Sequence, residues 1–457
     1  MFHFLPVWAP LAPPSHWLRQ ATGAALLGVV LLAPSCSPDA ELAAPTSLAT
    51  STYSAEVATK WADMELRLIR NGTGFSPPVA ARALGYAGVA LYGAVQPGIA
   101  GSQSLAGQLT GLNTLPQPEA GQLYNWAVAA NAAQALMAKS LFGNATTAQR
   151  TSLDSLETAL NAAYLTATGF DRSVQFGRAV AQAVFAWSRT DGGHAGYLSN
   201  QPAGYVPPTG AGLWVPASSA ASARALLPYW GQNRPFVPAD AALAMPALPY
   251  LYSAQPGSAY YAQVQEVYTT GRNLTAAQRA IALYWADGSQ TITPPGHSIS
   301  IAGIVLRARQ ATLALAAEAY ARVGIAAADA FIGCWKCKYQ FNWQRPDAAV
   351  QALIDPTWQP LIATPPFPEF VSGHSSQSGA VAQVLEDLFG AQTAFVDNSH
   401  QARGVGFEPR SYASFAAFAN EAAISRLYGG IHFRNSNEIG LVEGRKVGRN
   451  VTALRFK

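Results

Sequence analysis

The spacing of apolar residues predicts a protein made almost entirely of α-helices. Apolar side chains recur at intervals of three and four residues, which places them on one face of a helix. Alternation of the kind seen in strands is nearly absent, and no repeat of fixed period occurs. The sequence therefore predicts an all-α fold of packed helical bundles. The helical segments are residues 55–70, 123–141, 147–167, 173–190, 259–270, 275–288, 299–324, 326–343, 375–390 and 413–429.

Two parts of the chain depart from this pattern. Residues 190–255 are rich in glycine, proline and aromatic residues, which predicts a long irregular excursion over the surface. Residues 21–33 are apolar and uncharged and follow Arg19, which is typical of a signal peptide and too short for a membrane span.

The cysteine that follows this apolar run bears on the cellular location. Cys36 comes directly after Ser35, a small residue, as at the cleavage site of a bacterial lipoprotein. Residues 1–36 are thus expected to be a signal peptide with a lipoprotein-like cysteine, and residues 37–54 a flexible tether. The expected location is the periplasm or the outer membrane, with contact to the membrane only through an N-terminal lipid. The alternative is a plain signal peptide with an incidental cysteine.

Composition excludes several classes of protein. Half of the residues are hydrophobic and 12% are charged, which excludes a disordered chain. The 29 basic residues against 25 acidic ones are too balanced for a nucleic-acid binder. Three cysteines exclude a disulfide scaffold. The mean hydropathy of +0.10 raises the question of membrane spans, but no uninterrupted apolar run reaches about 18 residues.

Candidate chemistry is concentrated near the C-terminal end, beginning with two cations. Lys338 and Arg345 are seven residues apart, so on one helix they would leave the same face about 10 Å apart. From there both side chains could converge on one anion, and Pro346 would end or kink the helix. The alternative is a pair of solvated cations on an exposed face.

The second candidate is a predicted helix start at Ser372-Gly373-His374. Free backbone N–H groups and the positive end of the helix dipole make such a start an anion site. Ser372 would add a hydroxyl, Gly373 would allow close approach of an oxyanion, and His374 could act as general acid or base. The alternative is that Ser372 is a simple N-cap.

The third candidate combines Arg426, near the end of a predicted helix, with His432 after the break at Gly429-Gly430. Together the three segments resemble the superfamily of vanadium-dependent haloperoxidases and type 2 phosphatidic acid phosphatases. Its motifs K-x6-R-P, P-S-G-H and S-R-x5-H are matched in order, with Val371 in place of the proline. The chain is most similar to exported bacterial haloperoxidase-like proteins. The resemblance implies a catalytic helical bundle over residues 301–457, preceded by an N-terminal helical region over residues 55–300.

The resemblance also implies roles for individual residues. An oxyanion, vanadate or phosphate, would be bound by Lys338, Arg345, Ser372, Gly373 and Arg426. His432 would bind vanadium directly in a haloperoxidase, or act as nucleophile in a phosphatase, with His374 as the acid–base group. Trp335 and Phe367 match aromatic positions around the halide site, and Asp287 matches the carboxylate that would hold Arg345.

Three functions remain open at this point. The first is oxidation of iodide or bromide by hydrogen peroxide with vanadate as cofactor, and it is favoured because the chain lacks the membrane spans of the lipid phosphatases. The second is hydrolysis of a phosphomonoester by an exported metal-independent acid phosphatase through a phosphohistidine at His432. The third is a non-catalytic oxyanion-binding lipoprotein. The sequence shows no His/Asp/Glu cluster with the spacing of a conventional metal site.

Several neighbouring residues qualify these expectations. The superfamily commonly has Asp four residues after the catalytic histidine, whereas this chain has Ser436, which implies a less basic imidazole. Lys336 stands where relatives often carry an acid. Cys334 and Cys337 form a C-x-x-C pattern without a second ligand pair, so they are expected to be structural thiols. His297 is expected to be structural or at the edge of the pocket.

Overall fold

The computed structural model describes residues 46–216, 224–288 and 290–457, and these form a helical protein, as predicted. The proposed signal peptide lies outside the described residues, as do residues 37–45 of the tether. Among the described helices, none is both long and apolar enough to cross a bilayer. The helices are α1 (Glu56–Asn71), α2 (Pro77–Val95), α3 (Trp126–Leu141), α4 (Thr147–Asn161), α5 (Phe170–Ser188), α6 (Pro238–Ala241), α7 (Ala259–Arg272), α8 (Ala276–Tyr284), α9 (Thr293–Ala308), α10 (Leu313–Phe341), α11 (Pro346–Leu353), α12 (Gly373–Phe389), α13 (Phe415–Tyr428) and α14 (Arg434–Thr452).

Two short strands interrupt the helical pattern. β1 (Phe395–Asp397) pairs antiparallel with β2 (Arg410–Tyr412), and Phe395 lies opposite Tyr412. Side chains alternate between the two faces of a strand, so Phe395 and Asp397 both point inward and are buried. The hairpin thereby brings the Asp397 carboxylate into the protein interior.

The centre of the fold is the contact between α2 and α10, which depends on glycine. A Cβ atom on Gly88 would lie 2.6 Å from the Tyr320 carbonyl oxygen, and one on Gly324 would lie 2.8 Å from the Leu84 carbonyl oxygen. The two helices therefore approach backbone to backbone. Since α2 is buried on all sides, it has no polar face, and the three-and-four spacing did not predict it.

The helix boundaries differ most from the sequence prediction between residues 299 and 343. Residues 299–324 were expected to form one helix, but α9 ends at Ala308 and α10 begins at Leu313. Thr312 caps α10 by accepting a hydrogen bond from the Leu315 N–H, and Thr312 also forms a β-bridge with Ser54. From Leu313 the helix runs unbroken to Phe341. The boundary proposed between residues 300 and 301 remains a prediction.

The described parts of residues 190–255 confirm the predicted irregular excursion. They contain two 3₁₀ turns and the four-residue helix α6. Several of their apolar side chains are exposed, including Leu198, Val206 and Leu251. This segment crosses the surface near the C-terminal half of α10, where Trp214 N–H donates to the Asn342 carbonyl oxygen at 2.7 Å.

A buried glutamate in α1 leads to a prediction about stability. Glu65 is 4% exposed, its Oε1 has no hydrogen-bond partner, and burial raises its pKa from 4.5 to about 8. Between these two pH values the folded state holds a proton that the unfolded state releases, so the free energy of unfolding falls as pH rises. Glu65→Gln does not titrate, so its stability relative to the wild type should increase by about 3 kcal/mol from pH 5 to pH 8.

Urea unfolding of both proteins at several pH values measures this difference. The matched control is Glu56→Gln in the same helix, where the glutamate side chain is 59% exposed and pairs with Lys60. Its stability relative to the wild type should stay nearly constant over the same range. The prediction would be contradicted if the difference in the free energy of unfolding between Glu65→Gln and the wild type did not change with pH.

Candidate active site

The three sequence motifs meet where the ends of four helices converge. Lys338 lies in the last turn of α10, Ser372 caps α12, Arg426 lies in the last turn of α13, and His432 lies between α13 and α14. Each of these side chains is at least 97% buried. The wall of an open cleft includes Trp335, Phe367, Gly373, His374, Arg426, His432 and Asp287.

Lys338 and Arg345 do not lie on one helix, so the predicted shared helical face is wrong. α10 ends at Phe341, Asn342 takes a left-handed conformation with φ of 46°, and Arg345 is the N-cap residue of α11. An amide side chain tolerates this conformation better than most. The chain turns at Asn342 rather than at Pro346, and the turn carries Arg345 toward the cleft.

Lys338 and Arg345 are held by backbone carbonyl groups rather than by carboxylates. Lys338 Nζ donates to the Pro368 and Glu369 carbonyl oxygens, both at 2.9 Å. Arg345 Nε donates to the Phe367 carbonyl oxygen at 2.9 Å. Burial lowers the pKa of Lys338 to about 8. Their positive charges are therefore incompletely compensated, and they favour an anion nearby.

An aromatic wall lies against these cations. Lys338 Nζ is 5.1 Å and the Arg345 guanidinium carbon 4.9 Å from the centre of the Phe367 ring. The rings of Trp335 and Phe367 are 4.9 Å apart. The two aromatic residues named by the sequence therefore stand side by side, and both line the cleft.

α12 begins at Gly373, as the sequence predicts. Ser372 Oγ accepts hydrogen bonds from the Ser375 N–H at 3.5 Å and from the Ser375 hydroxyl at 3.1 Å, so it does act as an N-cap. The N–H groups of the first helical turn have no acceptors within the helix. Because Gly373 lines the cleft, the positive end of the α12 dipole lies at the cleft wall.

His374 is paired with Arg426 at this wall. His374 Nε2 lies 3.3 Å from Arg426 Nη1, which also donates to the Trp285 carbonyl oxygen. Burial and the neighbouring Arg426 charge hold the pKa of His374 well below its usual value, so its imidazole is neutral near pH 7. Its side chain remains 17% exposed, which leaves it access to the cleft.

His432 is oriented by a carboxylate that sequence reasoning missed. His432 Nδ1 lies 2.7 Å from Glu369 Oε1, which also accepts the Phe433 N–H at 3.1 Å. Burial and the charges of Arg345, Lys338 and Arg426 hold the pKa of His432 well below its usual value. A neutral imidazole that donates from Nδ1 keeps the lone pair of Nε2 available, and Nε2 lies 3.1 Å from Arg345 Nη1.

Glu369 corrects the inference drawn from Ser436. The missing aspartate four residues after His432 implied an imidazole without a carboxylate partner, but Glu369 supplies that partner from the segment before α12. Burial raises the pKa of Glu369 to about 7, against the opposing effect of Lys338 and Arg345. The sequence did carry a signal, since Glu369 is the single charged residue in the run Pro365–Val371.

Asp287 does not pair with Arg345, so that expectation is wrong. Its Oδ2 lies 3.0 Å from His297 Nδ1 and its Oδ1 lies 2.8 Å from His400 Nε2. The nearest motif side chain is His374, whose Nε2 is 4.0 Å from Asp287 Oδ2. Asp287 therefore supports the His374 side of the cleft, whereas Arg345 lies on the His432 side.

The remaining sequence candidates do not line the cleft. His297 is fully buried between Asp287 and Asp397, away from the edge of the cleft. Cys334 and Cys337 are buried free thiols on α10, as expected of structural residues. The structure also assembles a cluster that the sequence spacing did not reveal, because Asp287, His297 and His400 bring ligand atoms within 4.8 Å of one another.

The cleft fits a tetrahedral oxyanion. Two buried guanidinium donors, Arg345 Nη2 and Arg426 Nε, have no hydrogen-bond partner. Unpaired charged donors in a protein interior are costly unless a ligand satisfies them. Together with Lys338, the start of α12 and the neutral His432, these donors can hold vanadate or phosphate.

Comparisons with known proteins agree with this arrangement. Residues 318–456 match the family model described as the VCPO second helical-bundle domain. The vanadium chloroperoxidase of Curvularia inaequalis is 33% identical in an alignment of 138 residues, and the match covers 24% of this chain. That match spans 23% of the length of the fungal enzyme.

Solved structures extend the similarity beyond the C-terminal region. A bacterial vanadium-dependent iodoperoxidase superimposes with a TM-score of 0.79 and 34% sequence identity, over 88% of this chain and 96% of that protein. The holo form of a bacterial vanadium-dependent chloroperoxidase gives a TM-score of 0.65 at 18% identity, over 84% of this chain and 93% of its own. The second similarity shows a shared fold.

Proposed function

This chain belongs to the vanadium-dependent haloperoxidases, and on that premise we propose that it oxidises iodide or bromide with hydrogen peroxide, using vanadate as cofactor. The observation that carries the proposal is the state of His432. Its imidazole is neutral, Nδ1 faces Glu369, and Nε2 faces a group of buried cations. Such a nitrogen can bind a vanadium centre whose oxygens are neutralised by the surrounding positive charges.

The remaining motif residues hold the cofactor in this proposal. When bound, vanadate supplies a Lewis-acid centre that activates hydrogen peroxide toward a halide. The cationic side chains and the start of α12 would donate hydrogen bonds to the cofactor oxygens, and these donors would fix the orientation of vanadate and balance its charge. These groups are Lys338, Arg345, Arg426, Ser372 and Gly373.

His374 is proposed as the group that moves protons. As a neutral imidazole with access to the cleft, it would accept a proton from hydrogen peroxide and return a proton later in the cycle. Trp335 and Phe367 present an aromatic surface beside the cations, where a large, weakly hydrated halide can lie. Iodide is the favoured halide, since the structure that is 34% identical to this chain is an iodoperoxidase.

Assays of the purified protein test this function. Halide oxidation with hydrogen peroxide should require added orthovanadate, should survive treatment with a chelator such as EDTA, and should be inhibited by phosphate, which competes for the same donors. Hydrolysis of p-nitrophenyl phosphate is measured in parallel. Activity that needs zinc or magnesium, or phosphatase activity without any vanadate-dependent oxidation, would contradict the proposal and favour the acid phosphatase.

Changing Glu369 should weaken cofactor binding. Glu369→Gln keeps the size of the side chain but weakens the hydrogen bond that fixes His432 Nδ1. Loss of such a supporting partner costs about 10- to 100-fold in metal affinity or activity. We expect the vanadate dissociation constant to rise by about this factor, measured by titrating vanadate-free protein.

The matched control for this variant is Glu386→Gln. Glu386 lies at the far end of α12 and pairs with Arg445 at 3.0 Å. Vanadate affinity should not change in the control. Equal affinity in the wild type and in Glu369→Gln would show that the carboxylate does not orient His432.

Export is a separate proposal that rests on sequence alone. The apolar run of residues 21–33 and the position of Cys36 support secretion across the inner membrane, with lipid attachment to that cysteine. Fractionation of cells that express the wild type and Cys36→Ala tests this. The variant should move from the membrane fraction to the periplasm, whereas identical distributions would leave Cys36 without a role in anchoring.

A further inference from the structure

Four buried titratable side chains form a connected chain behind the cleft wall that carries His374. Asp397 Oδ2 lies 2.7 Å from His297 Nε2, and His297 Nδ1 lies 3.0 Å from Asp287 Oδ2. Asp287 Oδ1 in turn lies 2.8 Å from His400 Nε2. All four residues are at least 96% buried. We call Asp397, His297, Asp287 and His400 the histidine–aspartate network.

The linked Asp397, His297 and Asp287 side chains carry a net negative charge. Burial disfavours the His297 imidazolium, but the carboxylates of Asp397 and Asp287 outweigh that effect and raise the pKa of His297 to about 10. Although burial opposes their ionisation, the His297 charge lowers the pKa of Asp397 to about 2 and that of Asp287 well below its usual value. Two carboxylates and one imidazolium leave one negative charge inside the protein.

This charge faces the acid–base side of the cleft. Asp287 Oδ2 lies 4.0 Å from His374 Nε2, and the same nitrogen lies 3.3 Å from Arg426 Nη1. Among the described residues, Arg426 makes no salt bridge closer than 4.0 Å, so Asp287 is the carboxylate that compensates its charge from a short distance. The network therefore supplies the counter-charge that Arg426 needs while leaving its Nε donor free for a ligand.

The network also fixes the backbone next to the cleft. The Trp285 ring stacks on the His297 ring with their centres 4.5 Å apart, and the Trp285 carbonyl oxygen accepts a hydrogen bond from Arg426. Asp287 and Thr293 take left-handed conformations with φ of 43° and 64°. Such conformations persist where surrounding contacts enforce them, and they cluster at functional sites. At Asp287, the hydrogen bonds of His297 and His400 provide such contacts.

The geometry favours hydrogen bonding over metal binding within the network. Asp287, His297 and His400 bring ligand atoms within 4.8 Å of one another. However, both His297 nitrogens already lie at hydrogen-bond distance from carboxylate oxygens, at 3.0 and 2.7 Å. An imidazolium with two N–H donors has no lone pair to offer a cation.

We propose that His297, Asp397 and His400 are positioning residues, which act through Asp287 to aim Arg426 and His374 at the bound oxyanion. None of the three touches the oxyanion in this arrangement. In this proposal, the hydrogen bonds of His297 and His400 to its two oxygens hold the Asp287 side chain in position and stabilise its negative charge. The inference rests on the proposed function for the identity of the anion, but the positioning itself is a property of the vanadate-free protein.

Titration of vanadate-free protein with orthovanadate tests the inference. His297→Gln removes the imidazolium, and loss of such a supporting partner should raise the vanadate dissociation constant about tenfold. His400→Gln removes one contact to Asp287, and a smaller rise of about threefold is expected. The control is His194→Gln, an exposed histidine outside the network, which should bind like the wild type. A smaller folded fraction would reduce the number of sites, not the affinity of each site.

A spectroscopic measurement separates positioning from a merely structural role. The chain has seven histidines, so selective ¹⁵N labelling gives a spectrum that can be assigned with single variants. In the vanadate-free wild type, both ring nitrogens of His297 should carry protons that exchange slowly with water. The His374 resonances should shift in His297→Gln and in His400→Gln, and should stay in place in His194→Gln.

The outcomes distinguish this inference from the proposed function. Unchanged vanadate affinity together with unchanged His374 resonances in both variants would overturn it, as would a stoichiometric metal ion bound by the network. If His297→Gln does not fold, His400→Gln decides alone. A wild-type protein that binds vanadate but oxidises no halide would contradict the proposed function, while the affinity comparison would still test the positioning.

Discussion

Replacing His374 by alanine is expected to lower halide oxidation by about 10²- to 10⁴-fold, the range expected for a lost acid–base group. His374 follows the start of α12, reaches the cleft, and is held neutral by burial and by Arg426. In the proposed function it contributes no bond to vanadium. Its removal should therefore change the vanadate dissociation constant by less than about tenfold, or ~1.4 kcal/mol.

The measurement needs turnover and affinity from the same preparation. Peroxide-dependent iodide oxidation is followed at saturating orthovanadate, so that weaker binding cannot imitate lost catalysis. His194→Ala is the control, since this histidine is exposed and lies outside the cleft. A His374→Ala protein that turns over within threefold of the wild type would remove His374 from the proton-transfer role.

The motif residues could be predicted from sequence because their chemistry is encoded locally. Arg426 and His432 keep a fixed spacing across a helix end, and Ser372-Gly373-His374 forms a helix start that the sequence signals by itself. The structure places these segments around one cleft. The all-α class was equally accessible, since most helices bury one face and leave the other in water.

Other features depend on tertiary contacts that the sequence pattern does not show. α2 is buried all round, so its apolar residues follow no helical period. α14 packs against α12 through Gly444 and Gly448, and glycine contributes nothing to an apolar stripe. The amphipathic signal was thus absent for α2, and the sequence prediction also missed α14, although both helices are central to the fold.

The carboxylates around the cleft were the least predictable part of the site. His297 and Asp397 are 100 residues apart, and His432 and Glu369 are 63 apart, so only the folded chain brings each pair together. The pairing of Asp287 with Arg345 was wrongly predicted because two distant histidines contact Asp287 in the folded chain. Each of its carboxylate oxygens lies at hydrogen-bond distance from one of these buried histidines. A carboxylate can pair with any cation that lies nearby in the fold, and the sequence does not show which cation that will be.

Replacing His432 by alanine is expected to have the opposite profile to His374→Ala. The variant loses the nitrogen that is proposed to bind vanadium, but it keeps the donors of Lys338, Arg345 and Arg426 and the start of α12. Hydrogen bonds to charged groups are worth about 1.5–3 kcal/mol each, so vanadate should still bind weakly. We expect its dissociation constant to rise by at least about a hundredfold, or ~2.7 kcal/mol, and turnover at low vanadate to fall with it.

Phosphate provides the internal comparison for this variant. Phosphate and vanadate have similar shape and charge, but phosphate forms no coordinate bond to a histidine when it binds as an inhibitor. His432→Ala should therefore change phosphate affinity by only a fewfold while vanadate affinity collapses, and titration of one protein sample with each anion measures both. The opposite result would be that His432→Ala binds vanadate like the wild type while His374→Ala does not. The proposed roles of the two histidines would then be reversed, and the Glu369–His432 pair would carry out the acid–base step.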